Sequence, residues 1–155
     1  MRISALAAAL AAFTASVAAA QDASVAPSFG AVPLASGFPD PFTQLIPAGG
    51  GINVGQTVPG CVGYIANAPD FRIDFTPGEQ GAPLIFSVAA TIDTTLVIRA
   101  PDGSWLCDDD GGTVSFNPAI TFEKPVAGRY DVWVGAYAPG RPQASFLTIS
   151  AHLRR

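Results

Sequence analysis

The stretch Cys107-Asp108-Asp109-Asp110-Gly111-Gly112 places three consecutive carboxylates in a chain that is 49% hydrophobic and has only 12 acidic residues. Neighbouring carboxylates repel, so a bound cation, a proton held for catalysis or plain hydration must compensate them. A hard cation such as Ca²⁺ takes six to eight oxygens, backbone carbonyls included. Asp in a Gly-rich turn also bonds its own backbone and stays solvated, which is the competing reading. The spacing does not follow the twelve-residue helix–loop–helix calcium signature.

The element that must position these acids is the hairpin in "RAPDGSW". Pro101 presets the first turn position, Asp102 suits the second, and Gly103 can take the left-handed conformation. This turn pairs Ala100 with Ser104, Ile98 with Leu106, Val97 with Cys107 and Thr95 with Asp109. Asp93 then lies diagonal to Asp109 on one face. On a straight strand Asp108 and Asp110 point to the other face. Gly111 and Gly112 predict a bend there, which lets Asp93, Asp108, Asp109 and Asp110 converge at one end, with Asn117 adding a neutral oxygen.

Around this hairpin the chain reads as short alternating runs. Phe71, Ile73 and Phe75 alternate with polar residues, as do Leu84, Phe86 and Val88, then Ile120 and Phe122, then Tyr130, Val132 and Val134. Phe146 and Thr148 oppose Leu147 and Ile149 in the last run. Period-two alternation with Gly and Pro punctuation predicts an all-β antiparallel sandwich, with a closed barrel as the alternative. Residues 46–155 carry this pattern. Residues 21–45, rich in Ala, Ser, Pro and Gly, read as a flexible leader with a short strand near Gln44–Ile46.

Residues 1–20 read as a secretory signal: Arg2, an apolar run over Ile3–Val17, then Ala18-Ala19-Ala20 before Gln21. The run is shorter than a membrane helix requires. Export to the periplasm or beyond is the expectation, with no membrane insertion. Loss of Arg2 moves the formal charge from -4 to -5, which argues against a nucleic-acid partner. In an oxidising compartment Cys61 and Cys107 are expected to pair. A zinc site would lack partners, since His152 is the sole imidazole.

The same scarcity argues against an enzyme. Ser104 sits in a hairpin turn rather than a nucleophile elbow. Asp93-Thr94-Thr95 lacks the glycine of an aspartic-protease loop, and Glu79 and Glu123 fall in a turn and at a strand end. A binding face is the more natural function. Trp133 and Tyr137 share one strand face, opposite Tyr130, Val132 and Val134, and could stack on a sugar ring or anchor a protein. Core packing, with the other face covered by the leader segment, is the alternative for Trp133.

"DTTLVIRAPDGSWLCDDDGG", "NPAITFEKPVAGRYDVWVGAY" and "ASFLTIS" together resemble the bacterial pre-peptidase C-terminal (PPC) domain over about residues 60–151. The resemblance implies a jelly-roll-like β-sandwich of the kind that accompanies secreted peptidases, with relatives that bind calcium or extracellular polymers. By position, Asp93, Asp109 and Asp110 match the acidic motif, and Asp108 stands where the family often has Asn. Cys61 and Cys107 are not part of the general pattern. The reading is a secreted, non-catalytic binding or adhesion module for envelope or extracellular polysaccharide or protein, with a structural calcium. The alternative is a protease-associated accessory or targeting domain acting in trans.

Overall fold

The computed structural model describes residues 20–151; the segment expected to be a secretory signal, apart from Ala20, and His152 lie outside the described residues. Eleven strands form: β1 (Ala31–Ala35), β2 (Phe42–Ala48), β3 (Ile52–Asn53), β4 (Tyr64–Ile65), β5 (Phe71–Thr76), β6 (Leu84–Ala90), β7 (Thr94–Arg99), β8 (Trp105–Asp108), β9 (Ala119–Phe122), β10 (Gly128–Ala136) and β11 (Gln143–Ser150). Seven make one sheet, in the order β1-β5-β10-β4-β3, with β7 and then β8 continuing from the other side of β10. The second sheet runs β2-β11-β6-β9. The fold is thus an all-β sandwich and not a closed barrel.

Two expectations need correction. The segment expected to be a flexible leader is built into both sheets: β1 pairs with β5, and the short strand expected near Gln44–Ile46 forms as part of β2, which pairs with β11 over seven residues. Pro39 and Pro41 do lie in the connection between β1 and β2, while Pro33 and Pro47 lie on strands at the sheet edges, where a missing N–H removes no necessary ladder bond. The sandwich is also not wholly antiparallel, because β1 runs parallel to β5.

Alternation puts Phe71, Ile73 and Phe75 of β5, Leu84, Phe86 and Val88 of β6 and Tyr130, Val132 and Val134 of β10 into the core between the sheets. Tyr130 packs edge-on to Phe122 with centroids 5.0 Å apart, and its hydroxyl donates to the Val126 carbonyl and accepts from the Val126 N–H. This side-chain bond back to the preceding turn is the tyrosine corner of Greek-key sandwiches.

A second apolar cluster covers the opposite face of the larger sheet. Ile52, Val54, Val58, Cys61 and Ile65 pack over Val97 and Trp133, and Ala23, Trp105 and Cys107 close its rim. Sulfur atoms of Cys61 and Cys107 lie at bonding distance, tying this cover to β8 across 46 positions of sequence. The bridge is worth about 4 kcal/mol on a chain-entropy account.

β10 is buried along most of its length, and that includes Asp131. Arg72 Nε lies 2.5 Å from Asp131 Oδ1, and Arg129 Nε lies 3.1 Å from Oδ2. Arg72 also donates to the carbonyls of Ala23 and Val25, and Arg129 to that of Ala23, which straps residues 22–25 to the sheet.

A second buried acid repairs the ladder of β10. β5 pairs with β10 only as far as Val132, and β4 takes over at Ala136. In the gap, Asp70 donates its N–H to the Val132 carbonyl and accepts the Val134 N–H on Oδ2 at 2.7 Å. Burial raises the Asp70 carboxyl to about 7, partly offset by the Val134 hydrogen bond. The unfolded chain therefore loses this proton near pH 4 while the folded chain keeps it to about 7. Stability falls as pH rises across that window, on the order of 4 kcal/mol in all from this group. Asp70→Asn retains an acceptor for Val134 and is expected to flatten the dependence; urea titrations of both proteins between about pH 4 and pH 8 measure it.

Candidate functional site

The hairpin forms in the expected register. Ala100 N donates to Ser104 O at 2.9 Å, Gly103 adopts φ +86°, and Val97 opposes Cys107 while Ile98 opposes Leu106. The ladder ends one pair sooner than expected: β8 stops at Asp108, and instead of a Thr95–Asp109 pair the Thr95 hydroxyl donates to Asp108 O.

Beyond that point the acids separate into two groups. Asp108 Oδ2 accepts N–H bonds from Gly111 at 2.7 Å and Ala119 at 2.8 Å. It closes the bend and pins β8, at the edge of one sheet, to β9, at the edge of the other. A Cβ on Gly111 would lie 2.6 Å from this carboxylate and one on Gly112 would lie 2.5 Å from Asn117 O, so the Gly pair is what permits both approaches. Asn117 is buried, with Oδ1 accepting from the Thr94 hydroxyl and Nδ2 donating to the carbonyls of Ala90 and Ser115. Its carboxamide holds the 111–117 loop against β6 and β7.

Asp93, Asp109 and Asp110 form the second group. Asp93 is partly exposed, yet its Oδ1 is shielded from solvent and has no hydrogen-bond partner. Its carboxyl is raised above the ordinary value by burial and by the charges of Asp110 and Asp109. Asp109 is raised by burial and by Asp110 and Asp108. No cation among the described side chains forms a salt bridge with any of the three. Among the described residues, no three His, Cys, Asp or Glu side chains close around a common point tightly enough to hold a metal ion. The orphaned Asp93 oxygen and the mutual repulsion are features that a hard cation would offset, but Asp93, Asp109 and Asp110 do not converge on one point in this structure. Asp108 and Asn117, expected as ligands, each already use an oxygen in holding the loop.

Apolar side chains stand around these acids. Val114 and Phe116 are exposed on the 111–117 loop, Phe116 at 63% and with a left-handed φ of 60°. Tyr137 is exposed next to the cluster, its N–H bonded to Asp93 O. Trp133, expected beside it as a binding residue, is fully buried and packs at a tilt against Trp105, centroids 5.2 Å apart. The face it shares with Tyr137 is roofed by the 52–61 segment, so only the end of the strand emerges. Val114 and Phe116 are not among the expected contact residues; on either side of Ser115 they read like any short alternating run, and only the preceding Gly111-Gly112 marks a loop. Ser104 bonds Asp102 through both its N–H and its hydroxyl, which completes the turn.

Asp108→Ala removes a charged acceptor from two backbone donors and is expected to cost about 2–4 kcal/mol in a urea titration. Asp108→Asn, which keeps one acceptor, should recover about half. A loss below about 0.5 kcal/mol for the alanine variant would refute the anchoring role.

No protein-family model, curated protein or solved structure matches this chain.

Proposed function

We propose that this domain is a non-catalytic binding module of an exported protein, and that its contact surface is the loop end bearing Tyr137, Phe116 and Val114 around Asp93, Asp109 and Asp110. The observation that carries this reading is Phe116. A bulky residue in the left-handed region costs about 1–2 kcal/mol relative to glycine. Here that residue is also turned to solvent, so neither backbone preference nor core packing accounts for it. Strain retained at an exposed aromatic is a mark of function, and aromatic anchors dominate contact energies. The partner is an envelope or extracellular polymer, protein or polysaccharide. A calcium ion among Asp93, Asp109 and Asp110 would offset their repulsion and stiffen the rim. Export accords with the paired cysteines.

Two measurements test the reading. Millimolar calcium is expected to raise the melting temperature of the protein by about 5 °C at neutral pH over a chelator control. The shift should shrink toward pH 4 as protons replace the cation, and vanish in Asp109→Asn. An unchanged melt with calcium at neutral pH removes the metal from the proposal. Separately, Phe116→Gly is expected to leave stability unchanged or raise it by about 1 kcal/mol while weakening retention on insoluble sacculi or fibrous collagen, together with Tyr137→Ala. Full retention by both variants would overturn the assignment of this surface.

A further inference from the structure

The smaller sheet presents an outer face of unusual composition. No residue of β2, β6, β9 or β11 is charged, in a protein with 20 Asp, Glu, Lys and Arg residues. Register places Thr43, Thr148 and Ser87 side by side across three strands. Among the described residues their hydroxyls make no hydrogen bond to another side chain or to the main chain. Ile85 is 7% exposed but belongs to neither apolar cluster, because it lies on this outer side. One register row on, Leu45 and Phe146 are neighbours and half exposed. Gly111, Gly112 and Thr113 wall the face, leaving a groove of about 440 Å³ floored by the hydroxyls and Ile85. That volume lies in the range of small-ligand sites.

We propose that this groove binds an uncharged saccharide chain. The proposal shares with the preceding section the premise of a binding module, but it concerns a different surface. Three observations select the occupant. A face without charge offers no counter-ion to an acidic or basic polymer, whose desolvation would go uncompensated. The floor is a sheet face rather than a sheet edge, so it offers no unpaired main-chain groups to an extended peptide. A second copy is a poor fit: four strands about 4.8 Å apart and about six residues long give roughly 400 Å² a side, short of a stable dimer's roughly 800 Å² a side. A neutral sugar chain supplies hydroxyls for Thr43, Thr148 and Ser87 and C–H faces for Ile85 within the groove and for Leu45 and Phe146 beyond its lining.

Native electrophoresis of the 21–155 protein through gels containing soluble neutral polymers (a β-1,4-glucan, a β-1,3-glucan, a galactomannan and a water-soluble chitin derivative kept uncharged) tests this, with polygalacturonate as the charged control. Retardation is expected in at least one neutral gel and not in polygalacturonate, and it should persist in about 0.5 M salt because no charge pair is involved. Thr148→Arg is expected to weaken binding at least about tenfold. Thr43→Arg, on the exposed edge strand, does the same and serves if the first variant melts early. Asp74→Asn, exposed on β5 of the larger sheet and outside the groove, should bind as the parent does. Free migration in every neutral gel, retention that salt abolishes, or undiminished binding by both arginine variants overturns the proposal. So does a dimer in sedimentation that Thr43→Arg dissociates. Loss of retention in Tyr137→Ala alone would overturn it while sustaining the loop-end site.

Discussion

β10 must be covered on both faces and paired on both edges, and the rest of the larger sheet follows from that requirement. Its partners are β5 and β4 on one side and β7 on the other. One face meets the smaller sheet through Tyr130, Val132 and Val134; the other, with Trp133 at its centre, needs a separate cover that the 52–61 segment supplies. A strand this deeply placed would ordinarily be wholly apolar. Asp131 breaks that rule and is tolerated because two arginines reach it from β5 and from β10 itself. Asp70 meets the opposite need, giving a side-chain acceptor where a neighbouring strand has peeled away.

Chemistry at the loop end depends on this scaffold through two anchors. Asp108 and Asn117 spend their polar groups on the backbone of the 111–117 loop, and so hold Val114 and Phe116 outward. Asp93 keeps one shielded oxygen without a partner, and its carboxyl faces the charges of Asp110 and Asp109. Adjacent residues of one acidic run are thus differently engaged: Asp108 is bonded into the fold, while Asp109 is set against like charges. The same loop faces two ways, rimming the acids on one side and walling the uncharged groove on the other.

Local chemistry made part of this legible beforehand. Pro101, Asp102 and Gly103 determine a turn, and the turn determines the register of Val97 with Cys107, so the hairpin could be read from seven letters. Alternation likewise revealed the inward faces of β5, β6 and β10. What escaped reading was non-local. The prolines of residues 31–48 look alike whether the segment is loose or lies at a sheet edge, because only the neighbour's position decides whether an N–H is missed. The direction of the Asp108 carboxylate depended on Ala119, eleven residues on, and the burial of Trp133 on a roof some 70–80 residues before it in the chain. Even spacing told which side of the strand Trp133 occupies, without telling that this side was already taken.

Arg72 and Arg129 grip the strap at residues 22–25 by its carbonyl oxygens at Ala23 and Val25. Peptide carbonyls are common to every residue type, so this docking reads the path of the chain and ignores most of its lettering. The N-terminal strap can consequently drift in sequence, at the outward-facing Val25 above all, while keeping its seat. Two guanidinium groups thereby relieve a stretch of the protein from the pressure to stay the same.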